Sequence, residues 1–287
     1  MMNNQLVQVA TSDGLFLQGY FAPKEGKKAL LHIHGFEGNF YENKFVQVLA
    51  SSLEEKGITF LSVNTRGCEK IKDFNTPDGK TKTIGARYEL LEDTHMDIGA
   101  WVRFLLEKGY TDIILSGHSL GTYKVVRYLL TGRNKDSIKK LILLSPFDKK
   151  GALLTYTQTP IEELLTKAQK MVDAGKGDEM ITEEFDNIVV SYKTWISWYS
   201  QDELGRLYEF MNKDYDFPAL KKINVPTKII VGSKDEFFHL SNPEHPEEAM
   251  EILLKSIPVS EGKLIEGSVH SFAPHEDILA KEVLAFL

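Results

Sequence analysis

A single cysteine, Cys68, stands in a chain of 287 residues. No intramolecular disulfide can form, and nothing calls for an oxidising compartment. Long apolar runs are missing too, since none approaches the roughly 18–20 residues that a membrane-spanning helix needs. Residues 1–9 carry neither the basic nor the apolar segment of a secretory signal. We therefore expect no membrane span and a cytoplasmic location. Positive charge is in deficit, with 34 Lys and Arg against 41 Asp and Glu and a net charge of −7. No basic cluster reverses that balance, which argues against a nucleic-acid partner. What the chain does have is a hydrophobic fraction of 42%, enough for a substantial core. Its length suits one α/β domain carrying an insertion.

Along the chain, alternating runs at 7–10 and 15–21 flank Thr11-Ser12-Asp13-Gly14, whose Asp-Gly pair predicts a hairpin. Apolar strands follow at 29–33, ending in His34-Gly35-Phe36, and at 58–63, ending in Asn64-Thr65-Arg66-Gly67. Helices are predicted at 41–56, closed by Gly57, and at 89–108, closed by Gly109. Between them 68–87 reads as a long polar loop. A strand at 112–116, a helix at 122–131 and a strand at 140–144 continue the alternation. Strands alternating with helices indicate a mostly parallel, twisted sheet with helices on both faces.

The alternation breaks at Phe147. From 147 to 223 no strand pattern stands out, and helices are expected at 160–174, 182–199 and 202–212. The second carries Trp195, Trp198 and Tyr199, aromatics that either pack the insertion or wall an apolar substrate pocket. After Pro226 come a strand at 227–231, a helix at 247–257, a short strand at 263–265 and a terminal helix to Leu287. The expected division is thus a core of 1–146 and 224–287 with an insertion at 147–223.

Gly117-His118-Ser119-Leu120-Gly121 lies between the strand at 112–116 and the following helix. In that setting the two glycines let strand and helix approach closely, and the sharp turn lifts the serine oxygen above the sheet edge. A serine hydroxyl becomes a competent nucleophile when an imidazole takes its proton and a carboxylate orients the imidazole. Ligands sit at the carboxyl ends of parallel strands, so the partners should follow strands directly. Asp235 and His270 do, in the order Ser, acid, His expected with such a turn. Asp148, just after the strand at 140–144, is the second candidate for the acid. Glu236 neighbours Asp235, but side-chain alternation sends only one of the two inward. His239, His245 and His275 also follow Asp235, none of them directly after a strand.

The charge of a tetrahedral intermediate needs two preorganised donors. The backbone N–H groups of Phe36 and Leu120 are placed for it, each worth about 3–4 kcal/mol of barrier. His34 reads as a hydrogen-bonding residue of its own turn. His32 and His34 could share one side of their strand as metal ligands, yet no third ligand has suitable spacing, and no metal is expected.

His34-Gly35-Phe36, Asn64-Thr65-Arg66-Gly67, Gly117-His118-Ser119-Leu120-Gly121, Asp235 and His270, in this order, resemble the α/β-hydrolase superfamily. The resemblance covers nearly the whole chain, with 147–223 where that superfamily inserts a helical cap. Gly38-Asn39-Phe40-Tyr41-Glu42-Asn43 and Gly85-Ala86-Arg87-Tyr88-Glu89 look like bacterial hydrolases grouped with siderophore esterases. The resemblance implies an α/β-hydrolase fold with a cap and cofactor-independent hydrolysis through an acyl-enzyme. The implied substrate is a partly apolar small-molecule ester or lactone. Thioesterase, acyltransferase or amidase chemistry on the same residues, and a non-catalytic binding protein of the same fold, are the alternatives.

Overall fold

The computed structural model describes residues 4–156, 160–181, 188–212, 214–238 and 245–287. Among the described residues ten strands form, eight of them in one sheet: β1 (Gln5–Ala10), β2 (Phe16–Ala22), β3 (Lys28–Ile33), β4 (Thr59–Val63), β7 (Asp112–His118), β8 (Ile138–Leu144), β9 (Thr227–Gly232) and β10 (Ser260–Ile265). Their order is β1-β2-β4-β3-β7-β8-β9-β10. β2 pairs antiparallel with both neighbours, while every pair from β4 to β10 is parallel. From β3 the chain steps to β4 on one side and returns at β7 on the other. The crevice between the carboxyl ends of β3 and β7 is therefore the switch point where a ligand site forms in an open α/β sheet.

Strand alternation divides the interior in two. Ala29, Leu31 and Ile33 of β3 join one core with Trp101 and Val102 of α2 (Thr94–Glu107) and Val125 and Val126 of α3 (Leu120–Thr131). Leu30 joins the opposite core with Phe45, Leu49 and Leu53 of α1 (Lys44–Glu55) and Leu279 and Val283 of α8 (Glu276–Phe286). Burial on both faces explains the continuous apolar reading of the central strands. Arg66 fastens the sheet edge: its buried guanidinium bonds Asp97 of α2, Asp13 of the β1–β2 turn and Asp93, at 2.8–3.1 Å.

Three expectations need correction. Residues 68–87 contain a hairpin, β5 (Asp73–Asn75) paired with β6 (Thr81–Thr83). Thr76 and Asp78 close its turn, and Gly79 takes φ 78°. The helix at 202–212 is absent; the segment is a run of turns. Asp202 caps Gly205 N–H at 2.6 Å, and a Cβ at Gly205 would stand 2.1 Å from Ser200 O, so local side-chain bonding and close backbone approach replace a helix. Within the described residues 188–199 of the helix expected at 182–199, the helix is the shorter α6 (Tyr192–Trp198), opened by Ser191, whose hydroxyl accepts from Thr194 N–H. Residues 182–187 of that expectation lie outside the described residues, as does His239. The stretch between β8 and β9 also holds α4 (Lys149–Tyr156) and α5 (Ile161–Asp173). The remaining helix, α7 (Pro246–Ser256), precedes β10. Among the described residues, no helix is long and apolar enough to cross a membrane.

Candidate active site

Ser119 follows the last residue of β7 and precedes the first residue of α3, with φ 55° and ψ −125°. A non-glycine residue in this region is strained and persists only where its surroundings hold it. Both flanking glycines are required by contact. A Cβ on Gly117 would stand 2.4 Å from Gly121 O, and one on Gly121 would stand 2.5 Å from Ile33 O. Leu120 opens α3, so its N–H is one of those at a helix start that have no acceptor within the helix.

Asp235 follows β9 and His270 follows β10, and the two meet. His270 Nδ1 lies 2.9 Å from both carboxylate oxygens of Asp235, whose side chain is fully buried. An ionised carboxylate only accepts, so Nδ1 carries the proton and Nε2 is the basic nitrogen. Asp148, the second candidate acid, instead accepts from Gly151 N–H at 2.8 Å and Met211 N–H at 3.1 Å. Burial pushes its carboxyl up to about 6. Glu236 is exposed and accepts from the main-chain N–H of His270 at 3.4 Å. His245 pairs with Glu247, and His275 stands at the N-terminal end of α8, where its side chain makes no capping hydrogen bond.

Ser119 and His270 line one cavity of about 650 Å³ together with Phe36, Glu37, Glu42 and Glu69. Gly35 borders it too: a Cβ there would stand 3.4 Å from Ser119 Oγ. Trp195, Trp198 and Tyr199 are not in its lining. Trp195 and Tyr199 are buried, their ring centroids 4.4 Å apart, and Trp198 meets the ring of Phe36 edge-on at 4.9 Å. The aromatics beside His270 are Phe237, with ring centroids 4.9 Å apart, and Phe147 at 6.3 Å. Their signal in the sequence was position, close after β9 and β8.

Two other histidines support the site's backbone. His118 Nε2 lies 2.9 Å from His270 O, and because a carbonyl only accepts, Nε2–H donates. His34 accepts from Thr65 N–H at Nε2, at 3.0 Å, so its Nδ1–H donates to Gly35 O at 2.7 Å. Burial holds both rings well below the usual histidine range, His34 further through the nearby charge of Lys124. Burial pushes Cys68 up to about 12, which makes it an inert core residue. His32 turns to Ser116 Oγ at 3.2 Å, and no cluster of three metal-ligating side chains occurs among the described residues.

Residues 81–277, more than half of the chain, match the family described as Protein of unknown function (DUF1749). The chain belongs to DUF1749. No curated protein matches the sequence. Among solved structures, the α/β hydrolase GrgF from Penicillium sp. sh18 superposes with TM-score 0.67 at 17% identity, covering 99% of this chain and 98% of its own. Est1E from Butyrivibrio proteoclasticus with bound ferulic acid gives 0.65 at 21% identity, covering 98% and 97%. The Pyrococcus furiosus esterase Pf2001 gives 0.60 at 17% identity, covering 99% and 89%. This DUF1749 chain has the α/β-hydrolase fold.

Proposed function

We propose that the chain is a serine hydrolase of carboxylic esters. Ser119 Oγ attacks the ester carbonyl while His270 Nε2 takes its proton, and Asp235 stabilises the imidazolium that results. The N–H groups of Phe36 and Leu120 receive the oxyanion, His270 protonates the leaving alcohol, and water then releases the acid by the reverse sequence. Residues 147–223 act as the cap, which meets the oxyanion turn where Trp198 touches Phe36. The observation that carries this reading is the convergence of Ser119 and His270 on one cavity, with Asp235 bonded behind the histidine. Phe36, Phe147 and Phe237 supply the apolar surface near Ser119 and His270, in place of the cap aromatics.

The test is a panel of p-nitrophenyl esters of graded chain length, lactones, thioesters and aryl-acrylate esters. The last are included because ferulic acid occupies Est1E, a protein of similar fold. Wild type is expected to hydrolyse at least one oxygen ester and to be labelled by a fluorophosphonate at Ser119. Ser119→Ala is expected to lose both with its thermal midpoint nearly unchanged. Turnover retained by that variant would refute the assignment.

A further inference from the structure

Behind the oxyanion turn lies a buried ion pair that the proposed reaction does not use. Lys124 Nζ of α3 is 2.7 Å from Glu89 Oε1, and both side chains have no solvent exposure. Such a pair is expensive to bury and is often replaceable by apolar residues at no loss of stability, so stability alone is a poor reason for it. Gly67 makes room for it, since a Cβ there would stand 2.0 Å from Glu89 Oε2.

The pair connects to the site through hydrogen bonds. Lys124 Nζ donates to Thr65 Oγ1 at 3.1 Å. With Thr65 N–H already on His34 Nε2 at 3.0 Å, the Thr65 hydroxyl proton goes to Glu89 Oε1 at 3.3 Å. Thr65 is thus held by both charges while it fixes the His34 tautomer. His34 Nδ1–H then donates to Gly35 O at 2.7 Å.

Gly35 O belongs to the peptide unit whose N–H is that of Phe36. A planar trans peptide points its C=O and N–H in opposite directions, so a donor that fixes the carbonyl also sets the aim of the amide. A hydrogen bond at the carbonyl further polarises the unit and strengthens its N–H as a donor. Resting on the ester-hydrolase reading above, we propose that Glu89, Lys124, Thr65 and His34 form a relay that aims and polarises the Gly35–Phe36 peptide toward the oxyanion. These four are positioning residues, acting on the transition state through the Phe36 N–H. Burial and the nearby charge of Lys124 hold the His34 ring well below the usual histidine range, which favours the neutral form that this tautomer requires.

The experiment compares wild type with Thr65→Val, His34→Ala, His34→Asn and the double variant Lys124→Met/Glu89→Gln, which removes both charges together. Active sites are counted by fluorophosphonate titration, and kcat, KM and the Ki of a trifluoromethyl ketone are measured. The hemiketal formed by that ketone on Ser119 places an oxyanion in the hole. Thr65→Val and the double variant should lower kcat about tenfold per active site, less than the roughly 10²–10³-fold that loss of a donor itself costs. KM should stay within about twofold, and Ki should rise by the same factor as kcat falls. His34→Ala should lose more, and His34→Asn should regain part, because the Asn amide places an N–H where Nδ1–H was.

A merely structural role would lower the thermal midpoint and the active fraction while leaving kcat and Ki per active site unchanged; that result overturns the relay. Equal losses in His34→Ala and His34→Asn, with Thr65→Val at wild-type rates, also overturn it. A wild type that neither hydrolyses esters nor takes the label overturns the parent reading and the relay with it, whereas an active wild type with unaffected variants overturns the relay alone.

Discussion

Gly35 lies against Ser119 so closely that a methyl group on it would stand 2.9 Å from the serine Cβ and 3.0 Å from His118 O. The two residues follow different strands, β3 and β7, and neither contact can be relieved by rotating a flexible side chain. Gly35→Ala must therefore displace either the Gly35–Phe36 turn or the Ser119 turn. Because a misplacement of about 1 Å can cost roughly 10²-fold in rate, kcat should fall by at least about that factor. Ester turnover and the rate of fluorophosphonate labelling should fall together; a variant with wild-type kcat would show that the turn yields without consequence.

The two candidate acids are separable by experiment. Asp235→Asn leaves the shape intact but favours the wrong His270 tautomer, and kcat should drop about 10⁴-fold. Asp148→Asn should keep kcat within a few-fold and cost mainly stability, because Asp148 serves the Gly151 and Met211 amides on separate oxygens, and the single Asn oxygen can accept from one of the two. The reverse pattern would transfer the acid role to Asp148.

Arg66→Met leaves the buried Asp97 without its partner. Removing one member of a buried pair costs about 3–5 kcal/mol, which urea denaturation would read as a lower midpoint at unchanged slope. Arg66→Met combined with Asp97→Leu should recover part of that loss, since the fully buried carboxylate is gone, while the partly exposed Asp13 and Asp93 still lose the guanidinium. A single variant as stable as wild type would mean that solvent or another cation reaches Asp97.

Lys149 gives stability a dependence on pH. Its ammonium is buried over the Tyr123 ring at 3.9 Å, and burial, assisted by Arg127, lowers its pKa to about 7 from 10.5. Above pH 7 the folded chain has released this proton while the unfolded chain still binds it. Stability therefore rises with pH from about 7 toward 10.5, by up to about 1.4 kcal/mol per pH unit, and is lost again on acidification toward 7. Lys149→Met should flatten that slope in denaturation curves recorded between pH 7 and 9. An equal slope in both proteins would assign it to other groups.

The sheet and the turn carrying Ser119 were legible because each is encoded locally. Apolar runs between turn residues mark the strands, and Gly117 and Gly121 mark the close approach of β7 and α3. Asp235 and His270 were legible because strand ends converge in this fold, so position substitutes for contact. The relay was not. Lys124 lies on a helix whose apolar spacing says nothing about a lysine, and Glu89 is far from it in sequence. Local hydrogen bonding misled the reading at 202–212, where Asp202 and Gly205 form turns despite a helix-compatible composition. Trp195 and Tyr199 left two readings open, because aromatic surface signals burial wherever it occurs; their rings are buried against each other, away from the lining of the cavity.

The switch between β3 and β7 makes the site a late product of assembly. Gly35 and Ser119 become neighbours only once β3 has paired with β7. This is a long-range pairing, which closes slowly compared with helices. A refolding chain should recover helical signal before it can react with a fluorophosphonate, so the serine itself reports completion of the central sheet. A nascent or damaged chain would carry Ser119 without the surroundings that could activate it.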